Sequence, residues 1–164
     1  MMRGLRKLVG ALLTGIVALG IVFVVGLRTK SPRVRKAVRR VSRATRGFTI
    51  DSAGTPGAYA SLVRHVGRTS GRAYETPVRA AATDDGLVIT LPYGSDTDWV
   101  KNVLAGGSAT VVHEGQTIEV VNPEIVTGAD PERWFPAKDQ RTQHLFGVDE
   151  YLQLRRVKAP TSVS

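Results

Sequence analysis

Leu91-Pro92-Tyr93-Gly94-Ser95-Asp96-Thr97-Asp98-Trp99-Val100-Lys101-Asn102 joins the end of an apolar run to the start of a helix. Leu87, Val88, Ile89 and Leu91 read as a buried strand. Small residues then interrupt it, and Thr97 or Asp98 stands where a helix N-cap belongs. At helical spacing Trp99, Val100, Val103 and Leu104 share one face, with Asn102 at its border and Lys101 outside it. Gly106-Gly107 stops the helix. A strand that ends in a glycine loop before a helix gathers backbone N–H groups, a hydroxyl and a cation, which suits an anion. Taken alone, the same residues also make an ordinary capped strand-to-helix connection.

On either side the chain reads as short strands and turns. Leu62 to Val66 is a strand, and a second runs from about Glu75 to Thr83 with Val78, Ala80 and Ala82 on one face. Asp84-Asp85-Gly86 is the clearest hairpin turn. Ala109–His113 and Thr117–Val121 form another hairpin around Glu114-Gly115, with Ile118 and Val120 alternating against Thr117 and Glu119. Glu124 to Val126 extends that strand past Pro123. Pro131 opens a helical turn, a short helix covers Gln140 to Phe146, and Tyr151, Leu152, Leu154 and Val157 close the domain as a strand or extended segment. Many short strands with few helices predict a mainly β (α+β) chain folded as a small antiparallel barrel. There is no internal repeat.

Between the first two strands lies Gly67-Arg68-Thr69-Ser70-Gly71-Arg72. It offers two guanidinium groups, two hydroxyls and consecutive backbone N–H donors, the equipment for a phosphate or polycarboxylate. A solvated basic hairpin has the same composition. The turn is neither a Walker loop nor a dinucleotide fingerprint. His65, His113 and His144 lack metal-ligand spacing, so no metal site is expected. No G-x-S-x-G elbow presents a nucleophile, and cysteine is absent, which excludes disulfides and thiolate chemistry. Trp134, Phe135, Phe146 and Tyr151 gather late in the chain, either as core or as the lining of an apolar pocket.

Charge is distributed unevenly along the 164 residues, which carry a formal net charge of +9. Twelve of the 23 cations precede Asp51, leaving 11 against all 14 acids, so residues 47–164 carry a net −3. Leu8 to Leu27 is an uncharged, almost wholly apolar run, long enough as a helix to cross the roughly 30 Å hydrocarbon core. A signal peptide is the rival, but the run exceeds a normal h-region and ends without an Ala-x-Ala site. The cations after it place the remaining domain on the cytoplasmic side of the cell membrane as a single-pass protein. They also attract anionic head groups, and beside a span this reading displaces nucleic-acid binding.

Gly67-Arg68-Thr69-Ser70-Gly71, Pro77, Tyr93-Gly94-Ser95 and Trp99-Val100-Lys101-Asn102, in that order and spacing, resemble the deazaflavin-dependent nitroreductase and quinone reductase family. The resemblance spans about residues 58 to 155. It implies a split β-barrel of the flavin-mononucleotide-binding kind, with an N-terminal transmembrane helix added here. The divisions are an anchor over 1–27, a basic linker over 28–57, the barrel over 58–158 and a tail over 159–164. It further implies an oxidoreductase whose hydride donor is reduced coenzyme F420, with FMN as the alternative cofactor. Arg68, Thr69, Ser70 and Arg72 would hold the phosphate and glutamate tail, with Pro77 just beyond. Tyr93, Gly94 and Ser95 would lie along the ring, and Lys101 and Asn102 would reach the tail. The proton that completes reduction could come from Tyr93, Tyr151 or water, and Tyr151 best matches a pocket tyrosine. Acceptors implied are small and apolar: a quinone, an enone, a nitroaromatic or an unsaturated lipid. The sequence departs from its relatives at Ser95 (often Gly), Val100 (often Tyr) and Thr69 (often Lys or Arg), and the last removes one anion contact. A non-catalytic deazaflavin or flavin-binding module, or a membrane-tethered interaction module, are the alternatives. A homodimer is left open.

Overall fold

The computed structural model describes residues 51–157. The expected anchor and most of the basic linker lie outside them. Among the described residues no helix is long and apolar enough to cross a membrane.

Seven antiparallel strands form one sheet in the order β2-β1-β5-β6-β7-β4-β3. They are β1 (Ser61–Val66), β2 (Ala73–Val78), β3 (Ala80–Ala82), β4 (Gly86–Thr90), β5 (Ser108–His113), β6 (Gln116–Thr127) and β7 (Glu150–Arg156). The two edge strands, β2 and β3, are consecutive in the chain with Arg79 alone between them. The sequence predicts one strand over this stretch, and the structure bends it. Its first half pairs with β1 from Ser61↔Val78 to Val66↔Ala73, and its second half pairs with β4 from Ala80↔Ile89 to Ala82↔Leu87. The sheet therefore curls until its edges are joined by one bent segment, which is what a half-barrel requires. The Arg79 carbonyl at the bend accepts the Thr90 N–H at 3.0 Å. The bend also separates the expected face: Val78 and Ala80 are buried, whereas Ala82 is exposed.

Period-2 alternation sorts the apolar residues onto both faces. Leu87, Ile89, Leu152 and Leu154 enter the main core with Val63, Val111 and Val120. Val88 and Tyr151, one residue out of phase, face a second cluster with Ala81 and Phe135. Helix α1 (Asp98–Gly106) adds Val100 and Val103 to the main core and ends at Gly107, in the left-handed region at φ +67°. Leu104, expected on that buried face, is exposed instead. The second cluster takes in Trp134 of a 3-10 turn (Pro131–Trp134), and α2 (Ala137–Phe146), which starts three residues before the predicted Gln140, meets it through the Gln143–Tyr151 hydrogen bond. Strand β6 does run past Pro123, through an irregularity between Val121 and Glu124 where Asn122 takes φ +54°. Gly86 is required by close approach, because a Cβ there would lie 1.9 Å from the Leu154 carbonyl oxygen. Residues 51–57 fold back on the β5–β6 hairpin, with the Gly115 N–H donating to the Gly54 carbonyl and the Gly57 N–H to the Glu114 carboxylate.

Candidate functional site

The Gly67–Arg72 turn and α1 are tied together through Asn102. This side chain is 7% exposed, and its Oδ1 accepts the Arg68 backbone N–H at 3.2 Å and the Arg68 guanidinium at 2.8 Å. Its Nδ2 donates to Nδ1 of buried His65 at 3.4 Å, and His65 Nε2 then donates to the Thr76 hydroxyl at 3.1 Å. That chain selects the neutral His65 tautomer with its proton on Nε2. The His65 ring also stacks on Tyr74, 5.8 Å between centroids. Two candidates far apart in sequence, Arg68 and Asn102, thus touch.

Three of the turn's six amides serve the turn itself. The Gly67 N–H donates to the Arg72 carbonyl and the Gly71 N–H to the Gly67 carbonyl, at 2.8 and 2.9 Å, and the Arg72 N–H reaches Ser70 Oγ at 3.4 Å. With the Arg68 N–H on Asn102, four of the six amides are engaged. A hairpin this tight closes with its own hydrogen bonds, so side chains carry its outward chemistry. Arg68 also meets Asp98 at 3.1 Å, and Lys101 pairs with Asp96. Two of the candidate cations are therefore partly neutralised by acids at the N-terminus of α1. The Arg72 guanidinium has no such partner among the described residues. Ser70 Oγ and Tyr74 Oη lie 3.2 Å apart at the same turn, and Thr69 is exposed. Pro77 sits in edge strand β2, where a missing N–H disturbs no inner ladder. Thr97 caps α1 without a side-chain hydrogen bond, and its buried hydroxyl has no partner among the described residues.

The loop from Leu91 to Thr97 leaves β4 and is anchored on β7. The Leu91 N–H donates to the Glu150 carbonyl at 3.0 Å, and the Ser95 N–H to the Glu150 carboxylate at 2.7 Å. Gly94 makes the intervening turn at φ +76°, which a side chain would strain. On one flank of this loop Pro92 and Tyr93 line a cleft of about 250 Å³, shared with Tyr59, Arg79, Gln143 and Phe146. On the other flank Asp96 and Thr97 lead to Lys101 and the Arg68–Asn102 contact.

The tyrosines differ. Tyr93 lines the cleft, and burial pushes its phenol above the usual value, so it stays protonated near neutrality. Tyr151, expected in a pocket, is 1% exposed and belongs to the second cluster. Its hydroxyl donates to Gln143 Oε1 at 2.9 Å, and burial, with Glu132 and Asp149 nearby, pushes its pKa up to about 12. It borders the cleft only through Gln143. The reason is register: Tyr151 alternates with Leu152 and Leu154 and so faces the second cluster.

Sequence reasoning missed Arg79 and Gln143. Arg79 lies at the strand bend and donates to buried Asp139 of α2, Nε to Oδ2 at 2.9 Å, while its guanidinium covers the Tyr59 ring at 4.8 Å. An arginine inside a strand of small apolar residues was the available signal. Gln143 sits in a polar stretch and carried none. Among the described residues there is no group of three metal-ligating side chains.

A curled, mainly β sheet with a cation-bearing turn against one helix, and an apolar cleft on the far flank of the same loop, offers charge for an anionic group beside an apolar surface. The comparison with known families is more specific. Residues 22–148 match the model of the F420H(2)-dependent quinone reductases, and the chain belongs to that family. It is thus an oxidoreductase that uses coenzyme F420, as the sequence motifs implied. No curated protein matches the chain. Solved structures resemble it more distantly. A protein described as an F420-H2-dependent reductase is 15% identical with a TM-score of 0.47, over 59% of this chain and 94% of its own. A structure described as a domain-swapped dimer is 16% identical with a TM-score of 0.49, over 74% and 96%. A heme storage protein from Vibrio cholerae is 13% identical with a TM-score of 0.42, over 62% and 83%.

Proposed function

We propose that this reductase is held on the cytoplasmic face of the cell membrane by Leu8–Leu27 and passes a hydride from reduced F420 to a small apolar acceptor. The single observation that carries the reading is the Leu91–Thr97 loop, with an apolar cleft on one flank and the Arg68–Asn102–Lys101 cluster on the other. The cluster suits the coenzyme's anionic tail and the cleft suits a small apolar acceptor, so donor and acceptor meet along one loop. The acceptor classes are quinones, enones, nitroaromatics and unsaturated lipids, all of which a membrane anchor keeps close.

The residues fit the coenzyme's tail. Arg72, Arg68 and Lys101 supply positive charge, Ser70 and Tyr74 supply hydroxyls, and the orphaned Thr97 hydroxyl marks an unfinished helix N-terminus. The bound coenzyme supplies the hydride. Asn102 and Arg68 hold the turn at a fixed distance from α1, so the tail is positioned rather than merely attracted. Tyr93, kept protonated by burial, can donate a proton into the cleft. Pro92, Phe146 and Val148 give it an apolar wall.

The test uses full-length protein in detergent. Added protein should change deazaflavin fluorescence saturably, and menadione should then reoxidise the reduced coenzyme far faster with protein than without. Binding with no turnover across quinones, enones and nitroaromatics would reject the acceptor assignment. Tyr93→Phe should lower kcat while leaving coenzyme affinity unchanged.

A further inference from the structure

Gln143 combines three properties. It lines the cleft, it is 6% exposed, and its Nε2 has no hydrogen-bond partner among the described residues. The carboxamide orientation follows from its neighbour, because the protonated Tyr151 phenol has a proton to give and Gln143 Oε1 takes it at 2.9 Å. The N–H₂ end is then left over. A buried donor without an acceptor is unfavourable, and such groups are rare unless something outside the chain completes them. In the cleft wall Pro92, Phe146 and Val148 are apolar, the Asp139 carboxylate is bound to Arg79, and the Thr142 hydroxyl is bound to the Lys138 carbonyl.

We infer that Gln143 Nε2 donates a hydrogen bond to the carbonyl oxygen of the acceptor, and that Tyr151 is a positioning residue that turns the amide to do so. The inference rests on the cleft being the acceptor site and narrows the acceptor class to quinones and α,β-unsaturated carbonyl compounds. When hydride adds to a carbon conjugated with the carbonyl, the π electrons move to that oxygen. A proton from Tyr93 or water completes the reduction, so the acceptor gains one hydride and one proton and the coenzyme is oxidised by two electrons. An N–H donated to that oxygen binds more strongly as negative charge builds there. Catalysis gains from this difference, and an acceptor without the oxygen cannot use it.

The experiment compares menadione with methylene blue, a carbonyl-free hydride acceptor, using full-length protein in detergent. Gln143→Met and Gln143→Glu both remove the donor, the first at similar volume and the second keeping the Tyr151 hydrogen bond. In each, the ratio of menadione to methylene blue kcat/KM should fall about tenfold to a hundredfold. Tyr151→Phe should lower the same ratio by less, since the amide then turns freely. A ratio unchanged in whichever Gln143 variant folds would overturn the assignment. Phe146→Trp tests the underlying reading separately by filling the cleft. Loss of turnover with both acceptors at unchanged coenzyme affinity supports the cleft as the acceptor site. Full turnover with both removes that site, and the Gln143 proposal with it.

Discussion

Replacing Asn102 by alanine cuts the joint between the Gly67–Arg72 turn and α1. The amide is 7% exposed and accepts two hydrogen bonds from Arg68, at 3.2 Å from the backbone and 2.8 Å from the guanidinium. Each neutral bond contributes about 1 kcal/mol net, and a charged donor about 1.5–3. The Arg68 side chain is 34% exposed, so water recovers part of the second. A total of about 2 kcal/mol remains. For a domain of this size that is a fall in Tm of about 8–16 °C. Asp98→Ala is the control, because this carboxylate is 68% exposed in its pair with Arg68. Such pairs contribute about 0–1 kcal/mol, so its Tm should fall by about 8 °C at most. Coenzyme affinity should separate the two variants by sign: Asn102→Ala loosens the turn and weakens binding at least about tenfold, whereas Asp98→Ala frees Arg68 and leaves binding equal or tighter. Thermal melts and fluorescence titration measure both. An Asn102→Ala protein melting within 2 °C of wild type, by the ~4–8 °C per kcal/mol scale, would refute the argument. So would an Asp98→Ala protein that loses more.

Arg72→Ala should weaken coenzyme binding by about tenfold to a hundredfold, and the loss should shrink in high salt because screening already reduces the attraction. Lys101→Ala should act in the same direction but more weakly, since Asp96 already offsets its charge. His113 is shifted below its usual pKa by burial, with Glu114 opposing and Arg79 adding to the shift, and its Nδ1 accepts the Ser61 hydroxyl at 2.7 Å. Because the unfolded chain binds that proton more readily, His113 contributes stability above the unfolded value near 6.5 that is lost as pH falls toward the lower folded value. Tm should therefore drop between about pH 7 and pH 5 by more in wild type than in His113→Gln. Full-length protein should sediment with membranes, and a C-terminal tag should resist external protease in intact cells; a soluble exported chain beginning after Gly20 or Gly26 would contradict this.

Strands, turns and α1 were legible because their signals are local. The apolar run Leu87–Leu91, the Asp84-Asp85-Gly86 turn and the Gly106-Gly107 stop each act within a few residues, through pleat, turn geometry and left-handed backbone. The family was legible because its motifs keep their order and spacing from Gly67 to Asn102. The Arg79 bend was not, since nothing within β2 or β3 announces it: it exists because the two ends of one segment pair with β1 and β4, distant in the chain. Nor was the state of the cations. That Arg68 meets Asp98 and Asn102, and Lys101 meets Asp96, depends on how the turn docks on α1.

The sequence by itself therefore determined a mainly β domain, its helix after the glycine loop, its family and the residue types available for an anionic coenzyme. Tertiary structure alone decided that Tyr151 is packed and reaches the cleft through Gln143, that half of the turn's amides are used internally, and that one loop separates the cation cluster from the cleft. The physical reason is range. Propensity and periodicity act over one or two turns of chain, whereas burial, hydrogen-bond satisfaction and charge pairing are set by residues that meet only when the sheet curls closed.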